Sequence, residues 1–110
     1  MNKANISDMT GGWFIGSFMP AVLTTENFEV GIKKYKKGDY EESHLHKIAV
    51  EITAIVSGKV RMKGIEYKEG DIITINPGES TDFLALTDVT NVVIKTPSIL
   101  GDKYLTEGLL

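Results

Sequence analysis

The chain has 110 residues, 42% of them hydrophobic and 25% charged, with a formal net charge of −3. That is the composition of one globular domain with a single core, and the acidic balance carries no electrostatic footprint for nucleic acid. There is no cysteine, which excludes disulfides, thiolate metal ligands and cysteine nucleophiles.

The elements follow in chain order. Residues 1–12 are polar, end in Gly11-Gly12 and are expected to be loosely ordered. They contain no apolar signal core, and no apolar run approaches the length of a spanning helix, so a cytoplasmic protein without membrane contact is the simplest reading. Residues 13–18 are aromatic and apolar and read as a short strand before Pro20. Residues 28–35 alternate as a half-buried strand, and Lys37-Gly38-Asp39 is a turn. Residues 43–46 form a short strand and 48–56 a long buried one. Glycine turns at Gly58, Gly64 and Gly70 then separate strands over 60–62, 65–67 and 72–75. Asn76-Pro77-Gly78 is a strong turn signal, followed by strands over 81–86 and 91–96, the last stopped by Pro97. Residues 97–110 are too polar and broken for another core strand and read as a C-terminal extension; a path across the mouth of the fold would bring Lys103 or Tyr104 near a ligand. Eight or nine short strands with glycine turns and no capped helical period predict an all-β sandwich or barrel, one domain over 1–110.

The chemistry concentrates between Gly38 and Gly58. His44 and His46 are two apart, so on a strand both imidazoles project from one face. Glu51 opens the next apolar run, and a short turn swings its carboxylate back to that face. Two imidazoles and a carboxylate suit zinc with a free position or a non-haem Fe(II) facial triad. The basic run Lys33-Lys34-Tyr35-Lys36-Lys37 reads as a solvated strand edge, from which Lys33 or Tyr35 could turn inward and hold an acidic substrate. Glu41 and Glu42 read as rim charges, and Trp13-Phe14-Ile15 with Phe18 as core or interface.

This spacing resembles the first signature motif of the cupin superfamily, the RmlC-like jelly rolls: glycine, five residues, His-x-His, four residues, glutamate, six residues, glycine. Gly38, His44, His46, Glu51 and Gly58 match at every fixed position. The second motif keeps both glycines, Gly70 and Gly78. Asn76 stands in its proline slot, Thr81 in its histidine slot and Ala85 in its asparagine slot. The resemblance covers roughly residues 28–96 and implies a jelly-roll β-barrel or sandwich. It implies a divalent transition metal (Mn, Fe, Ni or Zn) on His44, His46 and Glu51, with the fourth ligand missing. Thr81 would then hydrogen-bond a metal-bound water, and Asp82, the neighbouring carboxylate, points to the opposite face by strand alternation. Thr53, Thr81 and Phe83 are the expected ligand-binding residues of the pocket. The function implied is a metal-dependent enzyme acting on a small polar molecule such as a sugar or keto acid, of the isomerase, epimerase or dioxygenase class. A non-catalytic small-molecule- or carbohydrate-binding module and a vestigial metal-free jelly roll stand beside it, and the residues do not choose among the three. A homodimer is expected, by sheet packing or exchange of the N-terminal strand.

Overall fold

Alternating apolar and polar residues between glycine turns build two facing sheets. The computed structural model describes residues 1–106; residues 107–110 of the C-terminal extension lie outside the described residues. The strands are β1 (Trp13–Gly16), β2 (Leu23–Thr24), β3 (Glu29–Tyr35), β4 (Tyr40–Leu45), β5 (Val50–Ser57) and β6 (Lys59–Met62). They continue as β7 (Ile65–Lys68), β8 (Ile72–Ile75), β9 (Ser80–Ala85), β10 (Val89–Thr96) and β11 (Tyr104–Leu105). One sheet runs β2-β1-β3-β10-β5-β8 and the other β11-β4-β9-β6-β7. All pairs are antiparallel except β1 with β2. The all-β sandwich expected from the strand pattern is the one that forms.

The inner faces hold the core, where Ile55, Val60, Met62, Ile75, Phe83, Ala85 and Val89 pack together. Gly58 shows why the turns need glycine. Its φ is +93°, and a Cβ there would overlap the Asp88 carbonyl oxygen. On the outer face of the larger sheet, Ile32, Val92, Ala54 and Ile72 form one cross-strand row and Val30, Ile94 and Ile52 the next. These side chains are half-buried or exposed, Ile72 to 71%.

Three expectations need adjusting. The long strand begins at Val50 rather than residue 48, because the N–H groups of Lys47, Ile48 and Ala49 all donate to the Asp102 carboxylate and so leave the ladder. β4 ends at Leu45, so His46 lies one residue beyond the strand. Residues 1–12 contain two 3-10 turns, Ile6–Asp8 and Thr10–Gly12, the first capped by Asn5, whose side chain accepts from the Ser7 N–H at 3.0 Å. No helix among the described residues is long and apolar enough to cross a membrane.

Candidate metal centre

His44 belongs to β4, and its Nδ1 lies 3.0 Å from the Glu42 carbonyl oxygen. A carbonyl can only accept, so Nδ1 carries the proton and Nε2 presents its lone pair. His46 follows on the loop, where its own carbonyl accepts from the Gly78 N–H at 2.7 Å. The glycine of the second motif thus anchors a histidine of the first. Glu51 enters from β5, and the Thr53 hydroxyl donates to its Oε2 at 3.0 Å. That bond leaves Oε1 facing His46 Nδ1, 3.9 Å away. The two imidazoles meet edge to face with centroids 5.3 Å apart. One donor atom from each of His44, His46 and Glu51 lies within 4.8 Å of the others. The sequence reading brought these three together, and they are together.

The surroundings keep one of the imidazoles in its neutral form. His46 is 5% exposed, and its pKa falls to about 4 because burial disfavours the imidazolium and Lys95 and His44 add to that. A neutral imidazole is the ligating form. Its Nε2 is buried without a hydrogen-bond partner, an orphaned lone pair or N–H that a bound ion or a turned ring would satisfy. The donor set of two imidazoles and one carboxylate fits a divalent transition metal with open positions. Nearby, Tyr35 donates to Glu41 Oε1 at 2.7 Å. Burial, with the Glu41 charge and hydrogen bond behind it, pushes the Tyr35 phenol above its ordinary value, so it stays protonated.

The three residues open into a cavity of about 250 Å³ between the sheets. Thr81 lines it directly across from His44, with its hydroxyl donating to the Asp82 carbonyl at 2.8 Å. Asp82 also borders the cavity, yet its Oδ1 accepts the Lys63 N–H at 2.8 Å, and it does not join the donor cluster. Phe83 forms an apolar wall against Tyr35, ring centroids 4.5 Å apart. Thr53 is 1% exposed and serves Glu51 directly. Glu41, read as a rim charge, instead lines the cavity as the partner of Tyr35, whereas Glu42 is exposed.

Sequence reasoning missed several residues here. Trp13, read as core or interface, lines the cavity. So do Asn91 and Lys95 on β10. Lys103, the tail residue expected near a ligand, lines it as well. Asp102 is 6% exposed and accepts four hydrogen bonds from the N–H groups of the loop joining His46 to Glu51. Burial alone would raise its carboxyl; the N–H groups of Ala49, Lys47 and Ile48 outweigh that and hold its pKa below the usual value. The tail is therefore part of the site's support. Thr53, by contrast, was legible, because it stands two residues from Glu51, the spacing that puts both on one strand face.

Solved structures with the same arrangement of strands place this architecture. A conserved protein with a double-stranded β-helix domain from Klebsiella pneumoniae aligns at 24% identity over 76% of this chain and 74% of that one, with a TM-score of 0.68. The fold is the cupin fold. A sugar phosphate isomerase of the cupin superfamily from Silicibacter pomeroyi aligns at 20% identity over 66% of this chain and 52% of that one, TM-score 0.59. Oxalate decarboxylase from Bacillus subtilis, a protein with Mn(II) centres, aligns at 23% identity over 76% of this chain and 25% of that one, TM-score 0.64. These cupins agree with the present chain in fold at identities too low to transfer an activity. No protein-family model matches the sequence, and no curated protein matches it.

Proposed function

We propose that this cupin binds a divalent transition metal (Mn, Fe, Ni or Zn) through His44, His46 and Glu51. The observation that carries the reading is the convergence of three donor atoms within 4.8 Å around a buried, neutral imidazole whose Nε2 has no hydrogen-bond partner. When bound, such an ion supplies a Lewis acid that polarises a carbonyl or hydroxyl oxygen, or a position for O₂. The chain's own residues do the rest. The Glu42 carbonyl and the Thr53 hydroxyl orient two of the ligands. Phe83, Ile75 and Val93 give the cavity its dry wall. The Tyr35–Glu41 pair keeps a protonated phenol at the cavity's edge, whose oxygen can accept a hydrogen bond from a bound molecule.

The enzyme reading is a reaction on a small polar molecule such as a sugar or keto acid, of the isomerase, epimerase or dioxygenase class. The isomerase and decarboxylase activities of cupins that share the fold support this at the level of chemistry alone. A non-catalytic small-molecule- or carbohydrate-binding module is the second reading, and the observation in its favour is Thr81. It stands where the fourth ligand, a third imidazole, would, with its hydroxyl proton tied to the Asp82 carbonyl. The apolar outer face of the larger sheet supports a homodimer formed by a second copy of the chain.

Metal-dependent thermal stabilisation tests the reading. Manganese or zinc added to chelator-treated protein should raise Tm, since a ligand that binds only the folded state stabilises it. His44→Ala should abolish that rise. An unchanged rise in the variant puts the ion elsewhere, and no uptake by the wild type removes the metal. Turnover of a sugar and keto-acid panel by the loaded protein then separates enzyme from binding module.

A further inference from the structure

Beside the three donors the cavity carries a second group of residues with a different chemistry. Trp13 faces Gly31 across the β1–β3 pair, and a Cβ on that glycine would meet the indole at 2.8 Å. The missing side chain is what lets the ring lie there. Two ammonium groups sit against this one indole, Lys33 Nζ at 5.6 Å and Lys95 Nζ at 5.0 Å from the ring.

Lys95 lies between two carboxylates, opposite Glu29 on β3 and Glu51 on β5, yet pairs with neither. Glu29 takes the Ser98 hydroxyl at 3.2 Å and Glu51 the Thr53 hydroxyl at 3.0 Å. Lys33 donates to the Gly11 carbonyl at 2.9 Å, which fixes its head without neutralising it. Among the described residues neither lysine forms an ion pair; the close approach of His46 Nδ1 to Glu51 Oε1, at 3.9 Å, involves a neutral imidazole. Among the described residues the other carboxylates bordering the cavity are hydrogen-bonded by neutral donors and keep their charge: Glu41 by Tyr35, Glu79 by Asn76 and Asp82 by the Lys63 N–H. Two ammonium groups therefore border the cavity without an ion-pair partner of their own, although carboxylates stand nearby, and a ligand's carboxylate reaching between them would supply one.

A third residue points the same way independently. Asn91 is 2% exposed, stands opposite Lys33 in the β3–β10 pair and lines the cavity. Its Oδ1 is buried without a hydrogen-bond partner. A buried, unsatisfied amide is rare in a native fold. A hydroxyl can both donate to and accept from such an amide, whichever way the amide is turned.

We propose that Lys33, Lys95 and Trp13, together with Asn91, form a subsite for the carboxylate and adjacent hydroxyl of a small hydroxy or keto acid. The assignment deepens the metal-site reading and relies on it only for the ligand's other end, at His44, His46 and Glu51. A carboxylate fits better than a phosphate. Among the described residues no arginine fork and no helix N-terminus borders the cavity, and these are the usual phosphate cradles. The cavity of about 250 Å³ suits a molecule of a few carbons rather than a larger ligand.

Trp13 is the only tryptophan in the chain, so its fluorescence reads the subsite directly. The full chain is titrated with gluconate and pyruvate, with sorbitol as neutral control and with inorganic phosphate, each with manganese and again with EDTA. A saturable change with the carboxylates, absent with sorbitol and weaker with phosphate, is the expected result. Lys95→Gln and Lys33→Gln should each weaken it at least about tenfold, and Lys95→Arg should restore most of it. If a variant melts early, carboxylate-induced amide shifts at Trp13, Asn91 and Lys95 in the wild type give the same reading without mutation. An equal response to sorbitol, a response to phosphate as strong as to carboxylates, or no response at all overturns the subsite. A carboxylate response unchanged in the lysine variants does so too. Metal uptake with a silent tryptophan overturns the subsite and leaves the metal site standing. A carboxylate response in a protein that takes up no metal does the reverse.

Discussion

Thr53 is the clearest case of one atom deciding what a site can do. Valine would fill the same space on β5, but only threonine supplies the hydroxyl that holds Glu51 Oε2. Thr53→Val should leave the melting temperature of the metal-free protein nearly unchanged and lower metal affinity by about 10- to 100-fold, as loss of a ligand's hydrogen-bond partner does. Competition against a chromophoric chelator measures this; an unaltered affinity would mean that Glu51 is held by packing alone. His46 gives a pH dependence with a definite sign. Its folded pKa of about 4 lies below the ordinary 6.5, so between those values the unfolded chain binds a proton that the folded chain does not. Metal-free stability should be complete above pH 6.5 and fall as pH drops toward 4, by at most about 3 kcal/mol from this residue. Urea unfolding from pH 7 to pH 4.5 in EDTA checks it, and a flat profile would contradict a buried neutral imidazole. At this scale the sequence was legible where spacing is local. His44, His46 and Glu51 declare themselves within eight residues, while Trp13, Asn91 and Lys95 reach the cavity only through pairings among β1, β3, β5 and β10.

Among the elements, the tail carries the lesson. Residues 97–110 have no periodicity and read as an extension, yet Asp102 binds the loop between His46 and Glu51, more than fifty residues away in sequence. Nothing local marks an aspartate that will accept backbone N–H groups from so distant a loop, so strand pattern could not reveal it. The same contact explains why β5 starts at Val50, a boundary that apolar content placed two residues early. Asp102→Asn keeps the volume but replaces a charged acceptor with an amide that offers only one oxygen. We expect a loss of about 2–3 kcal/mol of stability in urea together with weaker metal binding, because the loop sets the approach of His46 to Glu51. Reduced stability with metal affinity intact would confine Asp102 to anchoring the tail. The glycine frame was legible for a physical reason: Gly58 occupies a left-handed conformation with no room for a Cβ, and that requirement is written in a single letter.

For the molecule as a whole, the sandwich divides its interior. Aliphatic side chains and Phe83 fill one part, while polar and ligating groups converge in the cavity beside them. The outside of the larger sheet is apolar in consecutive cross-strand rows, although no sequence motif names its partner. Light scattering coupled to gel filtration should give a dimer near twice 12.1 kDa per chain, and Ile94→Glu, in the middle of that face, should return the monomer without loss of metal binding. A wild-type monomer at all concentrations would refute the assembly and leave the site untouched. The central claim is the gathering of two imidazoles and one carboxylate around an ion. Anomalous scattering from crystals grown with manganese, recorded on both sides of its absorption edge, tests that most directly. The account requires a single strong peak bounded by His44, His46 and Glu51; a peak on other residues, or none there at full manganese loading, would contradict it.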